Sequence, residues 1–181
     1  MAELRADGLV AFPTETFYGL GAAALRPSAV RRVFEVKGRP EGKPLLVLVD
    51  SIAMAEGLAA VVGPRARELM ARHWPGPLTL VLPARRDVPA EVTAGSGTIG
   101  VRLSAHPVAR ALVSALGGPI TAPSANPTDQ LPPTTAAGVV AYFGDAALVL
   151  DGGVTPGGAP STVLDVTVEP PRLIRAGAIR F

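Results

Sequence analysis

The segment SAVRRVFEVKGRPEGKPLLVLVD, residues 28–50, decides the fold. Its first half carries Val30, Val33 and Phe34 at helical spacing, with Ser28 placed to cap the start and Gly38 placed to end the helix. Its last part, Leu45 to Val49, is an unbroken apolar run, too short for a stable helix and suited to a strand buried on both faces. A helix handed to such a strand across a short polar turn is the unit from which layered α/β domains are built.

The same alternation extends outward in both directions. Apolar runs at Leu9 to Phe12, Leu78 to Leu82, Ile99 to Leu103, Ala147 to Leu150 and Thr162 to Val166 read as strands. Helical patterns fit Ser51 to Ala60, Pro64 to His73, Pro107 to Leu116 with Gly117 at its end, and Thr135 to Phe143. The 19 prolines and 20 glycines form no linker; they punctuate loops such as HWPGPLT, TAPSANPTDQLPPTT and DGGVTPGGAPST. The expectation is one α/β domain over residues 1–181.

Composition removes several chemistries. With 48% hydrophobic and 18% charged residues, the chain buries one substantial core and is not disordered. It has no cysteine, hence no disulfide, thiolate nucleophile or Cys-ligated zinc, and two histidines, His73 and His106, cannot build a three-histidine metal site. The expectation is therefore no protein-held metal. The N-terminal MAELRADGLVAFP lacks the basic and long apolar regions of a leader, and no window reaches the length of a membrane span, so a cytoplasmic protein with no membrane partner is expected. A formal net charge of +2 does not argue for nucleic acid by itself.

Chemistry is expected in the loops at strand ends. Lys37 and Lys43, the only lysines among 17 basic residues, flank Arg39 within KGRPEGK, and three cations held by Gly38, Pro40 and Pro44 read as an anion clamp. PTETFYGLG, residues 13–21, offers hydroxyls and close backbone approach; threonines capping a strand turn read it equally well. TIGVRLSAHP puts Arg102 near the end of a strand opened by Thr98, where a carboxylate or phosphate ligand and a surface arginine are both admissible readings. APSAN places Ser124 and Asn126 on a rigid turn suited to a phosphate or a base edge, or to a simple Asx turn. Ser161 in PST and Arg175 in IRAG complete the set.

Together, PTETFYGLG, KGRP followed by KPLLV, WPGPLT, TIGVR, APSAN, STVLD and LIRAG occur in the order found in the YrdC-like threonylcarbamoyl-adenylate synthases, which the chain resembles from about Leu9 to Ile179. The resemblance implies a single-domain form of a twisted open mixed sheet flanked by helices, around a large basic cavity. It implies a nucleotidyltransferase that makes L-threonylcarbamoyladenylate and pyrophosphate from ATP, L-threonine and bicarbonate, with Mg2+ accompanying ATP. A partner transferase then delivers the threonylcarbamoyl group to adenosine 37 of tRNA.

By the same matching, Lys37 and Arg39 would act catalytically at the ATP phosphates. Lys43, Thr98, Ser124, Asn126 and Arg175 would also bind ATP, and Thr16, Tyr18, Arg102 and Ser161 would surround threonine, with Arg102 pairing its carboxylate. No nucleophile is required of the protein, because the carbamate oxygen attacks the α-phosphorus; positioning and charge stabilisation are its work. The chain departs from the family pattern at Leu48, where many members have histidine, and at Thr128, Asp129 and Pro132 after the SAN turn. Two other readings stand beside this one: an RNA-binding module using the basic cavity, poorly served by 4% aromatic residues, and a diverged paralogue with another nucleotide-dependent activity.

Overall fold

In the computed structural model, which describes residues 1–40 and 42–181, the stretch from Ser28 to Asp50 begins in a helix and ends in a strand. The strands are β1 (Val10–Phe12), β2 (Gly19–Gly21), β3 (Leu46–Val49), β4 (Leu78–Pro83), β5 (Thr98–Leu103), β6 (Ile120–Thr121), β7 (Leu148–Val149), β8 (Thr162–Asp165) and β9 (Arg172–Arg175). The helices are α1 (Ala2–Arg5), α2 (Pro27–Lys37), α3 (Ile52–Leu58), α4 (Pro64–His73), α5 (Ala90–Thr93), α6 (Pro107–Leu116) and α7 (Ala136–Phe143).

Local chemistry explains several of these boundaries. Gly38 takes the left-handed conformation (φ 57°, ψ 36°) and ends α2, with its own N–H on the Glu35 carbonyl and that of Arg39 on the Phe34 carbonyl. Ser51 and Thr135 cap α3 and α7 by accepting from the Met54 and Gly138 amides. Ser28 is not the cap of α2. Pro27, with φ preset, begins the helix two residues earlier than a Ser28 cap would, and the Ser28 hydroxyl donates instead to Asp7 at 2.6 Å.

The strands form open mixed ladders flanked by helices, in the orders β2-β1-β7 and β6-β3-β5-β4-β8-β9. They are stitched where β2 meets β6: Thr121 Oγ1 donates to the Leu20 carbonyl and accepts from the Ala22 amide, and the Thr121 amide donates to the Ala22 carbonyl. The central strands are buried on both faces, which is why they read as continuous apolar runs. In β3, Val47 and Val49 join the larger core cluster, while Leu48 packs in a second one with Leu112 and Val113 of α6. The Leu48 departure therefore lies in a hydrocarbon layer under α6. No helix among the described residues is long and apolar enough to cross a membrane.

Candidate active site

The loop after β1, the turn after α2, the TAPSAN turn and strands β4, β5, β8 and β9 enclose a cavity of about 580 Å³. Arg39, Arg102, Arg172 and Arg175 line it, and Asp165 is the one acidic lining residue among the described residues. Asp165 is already committed: it pairs with Arg172 at 2.9 Å and accepts from the Thr167 amide and hydroxyl. The chamber thus holds more positive than negative charge, the setting for a polyanionic ligand.

Arg102, in β5, is 3% exposed. Its Nη1 donates to Glu15 Oε1 at 3.0 Å, and the other Glu15 oxygen accepts from the Ser104 hydroxyl. Burial pulls the Arg102 guanidinium below its ordinary value, and the Glu15 carboxylate counters this. Its buried Nε has no partner. Arg175 lies close enough for the Arg102 charge, after burial, to push it down as well, so the two cations share one field. Arg175 is anchored on the residue just before β8, donating through Nε and Nη2 to the Ser161 carbonyl at 3.1 and 2.8 Å and through Nη2 to the Ser161 hydroxyl at 2.9 Å. That hydroxyl is also 3.0 Å from Thr79 Oγ1, a buried cavity residue of β4.

Of the residues singled out from sequence, Thr16, Tyr18, Arg39, Thr98, Arg102, Ser124, Ser161 and Arg175 line the cavity; Lys37, Lys43 and Asn126 do not. Lys37 is 4% exposed, and its ammonium donates to the Ser124 carbonyl at 2.5 Å and to the Asn126 carbonyl. Thr128 returns the contact, its amide on the Lys37 carbonyl at 2.8 Å, so the helix end and the SAN turn are locked together. Burial, with Arg39 nearby, lowers the Lys37 ammonium to about 8. Arg39 braces its own turn from inside the cavity, donating to the Pro44 and Lys43 carbonyls at 2.9 and 3.3 Å. The Asn126 side-chain amide donates to the Pro127 and Gln130 carbonyls and shapes the turn that follows. Tyr18, fully buried, donates its hydroxyl to the Gly153 carbonyl at 2.7 Å and accepts from the Gly152 amide. Asp129 is exposed with φ 66° and does not line the chamber, so its charge does not face in. Pro132 does line it.

Glu15 and Thr79 belong to the site without a signal of their own in the sequence. Each stands inside a quoted motif, yet a carboxylate beside two threonines and a threonine in an apolar strand carry no periodicity to mark them; only the pairing across β4, β5 and β8 reveals their place.

The family model for Sua5/YciO/YrdC, described as "Telomere recombination", matches residues 2–177. The chain belongs to the Sua5/YciO/YrdC family. It is 46% identical over 177 residues to the Pyrococcus abyssi threonylcarbamoyl-AMP synthase, spanning 97% of this chain and 52% of that protein. It is 39% identical to the Thiobacillus denitrificans threonylcarbamoyl-AMP synthase over 97% of this chain and 92% of that one. Among solved structures, Pyrococcus abyssi Sua5 complexed with L-threonine superposes with a TM-score of 0.95, covering 98% of this chain and 53% of that one at 46% identity. Escherichia coli YciO superposes at 0.89 with 26% identity, covering 99% and 87%. The chain spans about half the length of the Pyrococcus and Bacillus subtilis relatives.

Proposed function

We propose that this Sua5/YciO/YrdC chain forms L-threonylcarbamoyladenylate and pyrophosphate from ATP, L-threonine and bicarbonate. The observation that carries the reading is the single cavity in which Arg102, held by Glu15, and Arg175, held by Ser161, share one space with Arg39 and Ser124. Relatives named threonylcarbamoyl-AMP synthase and the L-threonine complex of Pyrococcus abyssi Sua5 support it. In this reading the threonine carboxylate pairs with Arg102, near Thr16, Tyr18 and Ser161. The ATP phosphates lie against Arg39, Ser124, Thr98 and Arg175.

The threonine amine and bicarbonate condense to a carbamate with loss of water, and a carbamate oxygen attacks the α-phosphorus as pyrophosphate leaves. The protein's work is to align these groups and to meet developing negative charge with fixed donors. Lys37 contributes from behind by fixing the Ser124–Asn126 backbone; Lys43 and Asn126 contribute through the turns they belong to. Mg2+ enters as part of the MgATP substrate. The domain over residues 1–181 is the catalytic unit, a partner transferase acting on tRNA consumes the adenylate, and the compartment is the cytoplasm.

The reading is tested by following pyrophosphate release with ATP, Mg2+, L-threonine and bicarbonate, each left out in turn. Release that requires every component supports it; release without threonine sinks it.

A further inference from the structure

Two pairs of hydroxyls line the cavity, and their hydrogen-bond balances are opposite. At the first, Thr14 Oγ1 lies 2.7 Å from the Phe17 carbonyl oxygen, 3.1 Å from the Thr16 amide nitrogen and 3.0 Å from Thr16 Oγ1. Two oxygens that close repel unless a proton lies between them, so the Thr14 proton is on the Phe17 carbonyl. A hydroxyl has one proton and two acceptor sites. Thr14 must then accept from both the Thr16 amide and the Thr16 hydroxyl, which saturates it. The Thr16 proton is thereby committed, and Thr16 Oγ1 has only lone pairs to offer a ligand. At the second pair, Ser161 Oγ accepts from Arg175, and Thr79 and Ser161 bond each other. Two protons serve one mutual bond, so one O–H donor is left over, as an anionic oxygen requires.

The acceptor-only hydroxyl shares its cavity with a cation: Thr16 and Arg102 both line it, and Glu15, which precedes Thr16 in the chain, holds Arg102. A guanidinium and a pure acceptor in one chamber match the carboxylate and amine of an α-amino acid.

We propose that Thr14 is a positioning residue for carbamate formation: it fixes the Thr16 hydroxyl as an acceptor, so the substrate amine is held through an N–H while its lone pair stays free. The inference rests on the threonylcarbamoyladenylate reading and deepens it. In the step concerned, the nitrogen lone pair forms the N–C bond to the bicarbonate carbon, a C–OH bond breaks, and one nitrogen proton joins the departing hydroxide as water. The nitrogen keeps its other proton, which stays hydrogen-bonded to Thr16 Oγ1. A hydroxyl with an uncommitted proton would instead donate to the amine lone pair and withhold it from carbon.

Thr14→Val removes the lock without changing side-chain shape. It is expected to lower kcat about tenfold, the worth of one hydrogen bond, while the threonine Kd by calorimetry moves less than about threefold, within the spread of such contributions; Thr14→Ser restores kcat. A purely structural role would weaken kcat and threonine binding together. Should Thr14→Val fail to fold, Thr16→Val decides: it should abolish the preference for L-threonine over β-hydroxybutyrate, the same acid without the amine. Wild-type kcat in folded Thr14→Val, or an intact preference in Thr16→Val, overturns the proposal. If the wild type forms no adenylate, the reaction assigned above fails instead, and the Thr16 binding preference still reports on the acceptor.

Discussion

The Lys37 ammonium ties the end of α2 to the Ser124 and Asn126 carbonyls, and this makes it structural as well as electrostatic. Lys37→Ala leaves a buried and a half-buried carbonyl without their donor and opens a cavity, so it should lower stability by about 2–4 kcal/mol, the combined scale of lost hydrogen bonds and packing, as well as adenylate formation; denaturant melts with activity assays separate the two. Its titration has a defined sign. The folded value of about 8 lies below the ordinary lysine value of 10.5, so the unfolded chain binds the extra proton between them. The stability contribution is present above 10.5 and lost as pH falls through about 8. Wild type should therefore gain stability relative to Lys37→Met as pH rises from about 8 toward 10.5, measured as the difference between their denaturant midpoints. The clustering of both lysines around Arg39 was legible in KGRPEGK, and of these three cations Arg39 alone lines the cavity. That the ammonium turns inward onto carbonyls was not, because only the position of the SAN turn, far along the chain, supplies its acceptors.

At the scale of elements, the site depends on pairs that bridge strands and loops. Glu15→Ala strands the Arg102 charge in a buried place and should cost about 3–5 kcal/mol, the penalty of breaking a buried pair from one side; Glu15→Gln, which keeps an acceptor oxygen, should recover much of the stability in thermal melts. Behind β9, Gly177 is required by close approach: a Cβ there would lie 2.3 Å from the Pro160 carbonyl oxygen and 2.5 Å from the Thr162 amide nitrogen. Gly177→Ala should cost about 1–3 kcal/mol, as overpacking does, and weaken ATP binding by displacing Ser161 and Arg175, which calorimetry would detect. The glycine of IRAG was visible in the sequence as a motif, but its reason is a contact with backbone on the other side of a hairpin. Elements with strong period or caps were readable: α4 and α6 have the bounds that Pro64, Pro107 and Gly117 suggest. Missed were β2, a Gly-Leu-Gly strand of low propensity, and β9, whose four residues are all exposed and show no alternation.

For the whole molecule, the sequence conveyed the α/β class because strands buried on both faces leave unbroken apolar runs. It did not convey that the ladders divide between β2 and β6, since that junction rests on the two-residue β6 and the Thr121 hydroxyl. The division matters to function, because the cavity takes residues from both ladders: Gly19 from one, Arg102 and Ser161 from the strands and loops of the other. Folding brings Arg39, Ser124, Arg102 and Ser161 to one chamber, and the proposed reaction needs that shared space. The most direct measurement supplies carbon-labelled bicarbonate with MgATP and L-threonine and examines the adenylate by mass spectrometry. The proposed reaction predicts an adenylate that carries both threonine and the bicarbonate label; an unlabelled adenylate, or AMP and pyrophosphate with no threonine-containing product, would contradict it.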